Sequence, residues 1–492
     1  MTAEDPTTPW WRRADPWVAA WLIAASLVWG LHGFQDAMSR DAALYVYAGQ
    51  QVADGQAPYV GVLNRAGPLT HLLPGLGVEL GRLTGIGDVT GIRVVFFVLM
   101  VFTPPLAYVL ARDVFGRRLA GSAAAATLLA FQGLALSATN GPQSKQPMML
   151  GLLVALVLLT RRRWLAAGVV TGLATLTWQP VLVVLAPVAL VVAALTPGEP
   201  RARLGGVARF VLGGGVALGV TVAYFLLMGA FDAFIEGFWA VNAAYTDQEG
   251  IVSAPLHHWD EVNVWLGWTT WLLVAGCVLS VALGLSGLRR KAWPGGDAAA
   301  LGAATLAGIG WSMSAYNGAT DALLVLPMAA AGVGGGVALA HATLPGSWHR
   351  PLSVVVAGWV AVALATTLHL TWSNRGPELA TARADAEALF AAAPDDATVF
   401  AYNAPQPLAL TGRESISRYV LFGEGMDDYV ASQWSNGFQG YVERLREMRP
   451  TVVVTSERGL AGGVRPLARD YVEVDGGPGW RAFLHTDVGP GQ

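Results

Sequence analysis

Long apolar runs alternate with short polar connections along most of the chain. A helix rises 1.5 Å per residue, so about 20 mostly apolar residues span the hydrocarbon core of a bilayer. Runs of this kind fall at 17–34, 90–111, 119–138, 147–160, 164–178, 180–196, 207–229, 262–288, 298–315, 321–341 and 352–372, which predicts about eleven transmembrane helices. Those at 147–160 and 164–178 are short and are expected to extend into their flanks. Past residue 372 the pattern changes. Residues 377–393 have the spacing of an amphipathic helix, 397–402 and 451–455 read as strands, and 427–448 reads as one further helix. The expected fold class is a polytopic α-helical membrane protein, with a transmembrane domain over 1–372 and a small α/β domain over 373–492.

Composition agrees with the pattern. Of 492 residues, 54% are hydrophobic and 13% charged, with mean hydropathy +0.46, too apolar for a water-soluble domain. A net charge of -3 offers no basic surplus for nucleic acid. The positions of the charges say more. With the N-terminus in the cytoplasm, the inner connections hold Arg12/Arg13, Arg112/Arg117/Arg118, Arg161/Arg162/Arg163, Arg201/Arg203/Arg209, Arg289/Arg290/Lys291 and Arg350. The outer ones hold few basic residues, as the positive-inside rule requires, and they also hold many carboxylates. This predicts a multi-pass protein of the plasma membrane whose C-terminal domain is extracytoplasmic. The first run follows Arg12 and Arg13 and is read as an uncleaved helix, since its small-residue cleavage signal is weak.

The lone Cys277 lies in an apolar run, so no disulfide or cysteine metal site is available. Glycines at 213–215, 219, 332 and 334–336 lack the Lys-Ser/Thr of a phosphate loop and are expected to let helices pack closely.

The connection 35–89 is far longer than neighbouring helices need, and such length usually carries function. Ser39 can cap a helix that puts Asp41 in its first turn and Asp41, Tyr45, Ala48 and Val52 on one face. Gly55 ends that helix, and Pro68 opens a second one over 69–80, too short to span the bilayer and suited to lie along its surface. The order Asp41, Tyr45, Gly49, Val52, Gly55, Pro58-Tyr59, then Pro68-Leu69, resembles the first outer loop of the GT-C glycosyltransferases. That family uses polyprenyl-phosphate sugars and includes protein O-mannosyltransferases and the lipid A aminoarabinose transferase. The likeness implies that Asp41 is the catalytic carboxylate. There are two departures from the pattern: Ala42 replaces the frequent Glu after Asp41, and Ala66-Gly67-Pro68-Leu69 replaces the usual Lys-Pro-Pro-Leu, removing a lysine that can touch donor phosphate.

Transfer of a sugar from a lipid phosphate to a hydroxyl needs a base for the acceptor proton and a cation or donor cluster for the departing phosphate. Asp41 can be the base, with Asp36, one turn earlier, as an understudy. For the phosphate, Arg65 offers a planar fork of donors, and Lys145 is an outer-loop lysine unusual against the charge rule. Tyr45, Tyr59, Asn64 and His258 complete the expected substrate-binding set.

The connection 231–261 is rich in aromatics and acids, a composition suited equally to sugar rings and to the membrane interface. His257 and His258 are adjacent and point to different sides of a helix, so together they make no metal site; one of them joining a first-loop carboxylate around a divalent cation is left open, and no other cofactor is expected. Asn317 and Asp321 mark another outer turn that can line the cavity.

The function expected is transfer of a sugar from a polyprenyl-phosphate donor to a glycan, lipid or protein acceptor. The alternatives are a catalytically silent scaffold that binds lipid-linked sugar, for which the altered lysine motif argues, and a lipid-sugar flippase. The flippase would require mid-membrane ionisable residues, which the runs nearly lack.

Overall fold

The computed structural model describes residues 15–245, 254–290, 295–315, 318–423, 425–460 and 462–487. Each apolar run is helical there. Among the described residues, five helical stretches are long and apolar enough to cross a membrane: Asp88–Phe115, Pro200–Leu227, His258–Arg289, Leu326–Thr343 and one within Gly346–Ala391. Shorter apolar helices, Pro16–Gly30, Arg118–Ala130, Lys145–Thr160, Trp164–Thr175 and Val181–Leu195, pack among them, as does Gly295–Ser314. The Pro200–Leu227 helix leaves Leu204, Val211, Leu212, Val220 and Leu227 exposed, an apolar surface that only lipid can cover without penalty.

Two spans are less regular than their hydropathy suggests. Pro104 and Pro105 restart the helix at Thr103, because proline has no N–H to continue the ladder. The run 119–138 breaks at Phe131, which is extended; Gln132 N–H then donates to Thr269 Oγ1 at 3.3 Å. Backbones approach closely where the sequence supplies glycine. A Cβ on Gly168 or Gly213 would collide with the facing helix at the Phe210 or Leu165 carbonyl, and one on Gly332 with the Gly276 carbonyl. Gly215 and Gly219 face open space instead, so the packing role expected of them does not hold.

The basic clusters meet at one end of the bundle. There the Asp15 carboxylate accepts from Tyr108 Oη at 2.8 Å and Arg112 Nη1 at 2.9 Å, while Asp113 accepts from Arg161 Nε at 2.8 Å. Arg162 pairs with Asp297 at 2.8 Å.

At the other end the long connection 35–89 folds into helices Arg40–Ala53 and Leu69–Thr84, the second running four residues past its expected end to Gly85, which closes it in a left-handed conformation. A four-stranded sheet and its helices pack on the first of these: Gln50 Nε2 donates to the Ala409 carbonyl at 3.0 Å, and Ser415 N–H to Tyr47 Oη at 3.0 Å. Strands β1 (Val399–Tyr402), β2 (Val452–Ser456), β3 (Tyr471–Gly477) and β4 (Trp480–His485) lie in the order β1-β2-β4-β3. β1 and β2 are parallel, with Val399 opposite Val452, and the other pairs are antiparallel. The stretch read as one helix over 427–448 is two, Met426–Ser432 and Phe438–Met448, because Asn436-Gly437 makes a turn with Gly437 at φ +63°. The β3–β4 hairpin was not expected from the sequence; Pro478-Gly479, with Gly479 at φ +81°, provides its turn.

Candidate functional site

Ser39 caps the Arg40–Ala53 helix, its side chain accepting from Ala42 N–H at 3.2 Å. The capping role is thus filled by Ser39, and Asp41 stands in the first turn with its side chain 63% exposed, beside Arg40 at 3.5 Å. One turn on, the Tyr45 hydroxyl lies within interaction range of Ser144, the Asp41 carboxylate and the Arg65 guanidinium. Burial, with the Asp41 charge adding to it, pushes the Tyr45 hydroxyl up to about 12, so it stays a neutral donor at physiological pH. Asp41, Arg65 and Ser144 thus all lie within range of the one Tyr45 hydroxyl.

The segment that carries Arg65 is a series of turns and bends fixed by its backbone and by Tyr59. Tyr59 is fully buried at φ +71°; its hydroxyl donates to the Ala66 carbonyl at 2.6 Å, and its ring meets His71 edge-on at 4.8 Å. Asn64 Oδ1 accepts from Ala66 N–H at 2.9 Å, while its buried Nδ2 has no hydrogen-bond partner among the described residues. Gly67 N–H and Leu69 N–H donate to the carbonyls of Thr177 and Leu176 at 3.1 and 3.0 Å. No side chain fits at Gly67, since its Cβ would strike the Leu176 carbonyl. This accounts for one departure from the Lys-Pro-Pro-Leu pattern: the Gly67 position is closed against the turn at 176–177.

The other candidates separate from this group. Asp36 accepts from Asn140 Nδ2 at 2.5 Å and lies 3.3 Å from His32 Nε2, whose other ring nitrogen is 2.7 Å from Thr139 Oγ1. The fully buried Arg93 stands nearby, donating to the Phe34 carbonyl at 2.8 Å. Lys145 forms an ion pair with the fully buried Asp321, donates to Thr320 Oγ1 at 3.0 Å, and sits 5.3 Å above the Trp178 ring. Its charge is held by Asp321, a partner 176 positions away in sequence. His258 lies on helix Ala254–Leu266, which packs beside Ala319–Leu324 and so on the Asp321 side. Asn317 and the side chain of His257 lie outside the described residues. Among the described residues no group of three or more His, Cys, Asp and Glu side chains is arranged to hold a metal ion.

One short segment ties the three groups together. Within 140–145, Asn140 reaches Asp36, Ser144 reaches Tyr45, and Lys145 reaches Asp321. Sequence reasoning singled out only its lysine. Asn140 and Ser144 carry no signal of their own, because their partners are far away in the chain.

This arrangement, helices with a long first connection and a C-terminal sheet at one end, also occurs in known proteins. ArnT from Cupriavidus metallidurans, apo, superimposes with a TM-score of 0.60 over 97% of this chain and 99% of that one, at 15% identity. The chain has the GT-C fold. The same ArnT bound to undecaprenyl phosphate gives a TM-score of 0.61 over 96% and 98% of the two chains, at 15% identity. The Archaeoglobus fulgidus oligosaccharyltransferase, apo, gives 0.56 over 94% of this chain and 73% of that one, at 14% identity. Residues 79–226 match the family described as dolichyl-phosphate-mannose-protein mannosyltransferase. That match begins after Leu69, so the first-loop motif and the family match are separate observations that point to the same GT-C fold. No curated protein matches the sequence.

Proposed function

We propose that this chain is a membrane glycosyltransferase that moves a sugar from a polyprenyl-phosphate donor to an acceptor hydroxyl, with Asp41 as general base. The observation that carries the reading is the Tyr45 hydroxyl with a carboxylate and a guanidinium in reach, in the first long connection of a GT-C fold. Asp41 is exposed, as a base for an incoming acceptor must be. In the reaction, the bond between the anomeric carbon and the phosphate oxygen breaks, and a bond from that carbon to the acceptor oxygen forms. Asp41 takes the acceptor proton, and polyprenyl phosphate departs with its new charge against Arg65. The protonated Tyr45 hydroxyl donates to whichever oxygen carries developing charge. Positioned bases contribute roughly 10²–10⁴-fold, and a preorganised cation adds to this without reorganisation at the moment of reaction.

The donor class is supported by the undecaprenyl phosphate bound to ArnT, a protein of the same fold. The acceptor is a glycan, lipid or protein hydroxyl. By the positive-inside pattern, the end bearing Arg112, Arg117, Arg118 and Arg161 faces the cytoplasm, so Asp41 and the C-terminal sheet work on the extracytoplasmic side of the plasma membrane. Residues 1–372 would form the catalytic transmembrane domain, and 373–492 a domain that covers its outer end.

Purified protein in nanodiscs, supplied with a panel of polyprenyl-phosphate sugars and candidate acceptors and read by mass spectrometry, tests the reading. Release of polyprenyl phosphate together with a glycosylated product is expected for one donor. A protein that turns over none of the panel yet still binds undecaprenyl phosphate would instead be a lipid-sugar-binding scaffold.

A further inference from the structure

Arg65 is held through its own carbonyl, and the groups that hold it lead back to a single residue of the C-terminal region. Asn242 Nδ2 donates to the Arg65 carbonyl at 2.8 Å, and Gln179 Nε2 does so at 3.4 Å. Asn242 lies in helix Val241–Tyr245, which follows directly on Glu236–Ala240, a π-helical turn, a rare geometry frequent at functional sites. The same turn packs on the Arg65 loop from the other side, since a Cβ on Gly237 would strike the Tyr59 ring.

Glu236 opens that turn. Its Oε1 accepts from Arg418 Nη2 at 2.6 Å and from Tyr429 Oη at 2.8 Å. Arg418 has a second grip: its carbonyl accepts from Leu63 N–H at 2.9 Å, two residues before Arg65. The contacts close a ring, from Arg418 through Leu63 to Arg65, on through Asn242 and the π-helical turn to Glu236, and back to the Arg418 guanidinium. Glu236 and Arg418 are each largely shielded, with side chains 19% and 33% exposed, so the pair is less screened than a surface ion pair.

We infer that Arg418 is a positioning residue for donor phosphate, using its carbonyl and its ion pair with Glu236 to fix the loop from which Arg65 projects. The inference rests on the proposed function, because it takes Arg65 to be the phosphate partner. It assigns the C-terminal region a part in donor binding that a simple cover over the site would not have.

Glu236→Gln keeps the side chain's shape and removes its charge. The apparent KM for the donor should rise about tenfold with kcat changed less than about threefold, the pattern of lost ground-state positioning. The affinity of the same variant for undecaprenyl phosphate, measured in nanodiscs, should weaken by about the same factor. Exchanging the pair, Arg418→Glu with Glu236→Arg, should recover much of the loss seen in either single variant. A contact that only stabilises the fold would lower yield and melting temperature while leaving the KM of the surviving enzyme unchanged. If wild type transfers sugar while Glu236→Gln keeps both its donor KM and its undecaprenyl phosphate affinity within twofold, the inference is overturned. If wild type neither transfers sugar nor binds undecaprenyl phosphate, the proposed function fails with it.

Discussion

At the residue scale, Tyr45 is the group whose role is easiest to isolate, because it touches the site through one hydroxyl. Tyr45→Phe keeps the ring and removes the contact to Ser144. A lost hydrogen bond to a charged or developing-charge centre is worth about 1.5–3 kcal/mol, so transfer should slow by roughly 10- to 100-fold with the protein's melting temperature nearly unchanged. His71 makes a different prediction. Burial against Tyr59 lowers its imidazole to about 3, so it is neutral in the folded protein. An unfolded chain titrates its histidine near 6.5, so below that pH the unfolded state takes up a proton that the folded state refuses. The stability due to neutral His71 is therefore complete above about 6.5 and is lost as the pH falls toward 3. Melting temperature followed from pH about 7 to about 5 should drop, and less steeply in His71→Phe. Asp41, Tyr45 and Arg65 can be proposed together from the sequence because two of them share one helix turn and the third follows in the same loop. Ser144 was not, since a lone serine reveals a partner only when a distant loop is brought beside it.

At the element scale, the segment 140–145 and the turn at 319–324 meet through Lys145 and Asp321. Losing one member of a buried ion pair leaves an uncompensated charge and costs about 3–5 kcal/mol, whereas replacing both together is far milder. Asp321→Asn should lower the melting temperature markedly in detergent, and Lys145→Met combined with Asp321→Asn should restore most of it. Additive losses would contradict the pairing. The helices themselves were legible because a bilayer imposes both length and apolarity on each span. Their breaks were not: Phe131 has no local reason to leave the helix, and its extended backbone goes with the contact between Gln132 and Thr269. The β3–β4 hairpin escaped notice for the opposite reason. β3 carries Glu473 and Asp475 and lacks the apolar run that marked β1 and β2, and Arg481 splits Trp480 from Ala482-Phe483-Leu484 in β4.

At the scale of the whole molecule, the ring through Arg418, Leu63, Arg65, Asn242 and Glu236 shows three distant parts of the chain meeting at one end of the bundle. The basic clusters occupy the opposite end, around Asp15 and Asp113. The sequence divided these ends by charge alone, and the structure brings the long first connection and the C-terminal sheet together as that division expects. Which end faces the cytoplasm follows from the charge rule, and cysteine labelling in whole cells checks it. An introduced cysteine at Asp54, whose side chain is exposed, should react with an impermeant maleimide, and one at Gly116 should react only after permeabilisation. Labelling in the reverse pattern would place Asp41 on the wrong side for an extracytoplasmic acceptor. The central claim, that Asp41 takes the acceptor proton in sugar transfer from a lipid phosphate, is tested most directly by Asp41→Asn. Purified variant and wild type are compared for single-turnover transfer and for undecaprenyl phosphate binding. The account predicts a loss of about 10²–10⁴-fold in transfer with binding within a few-fold of wild type. Transfer at the wild-type rate by Asp41→Asn would contradict it.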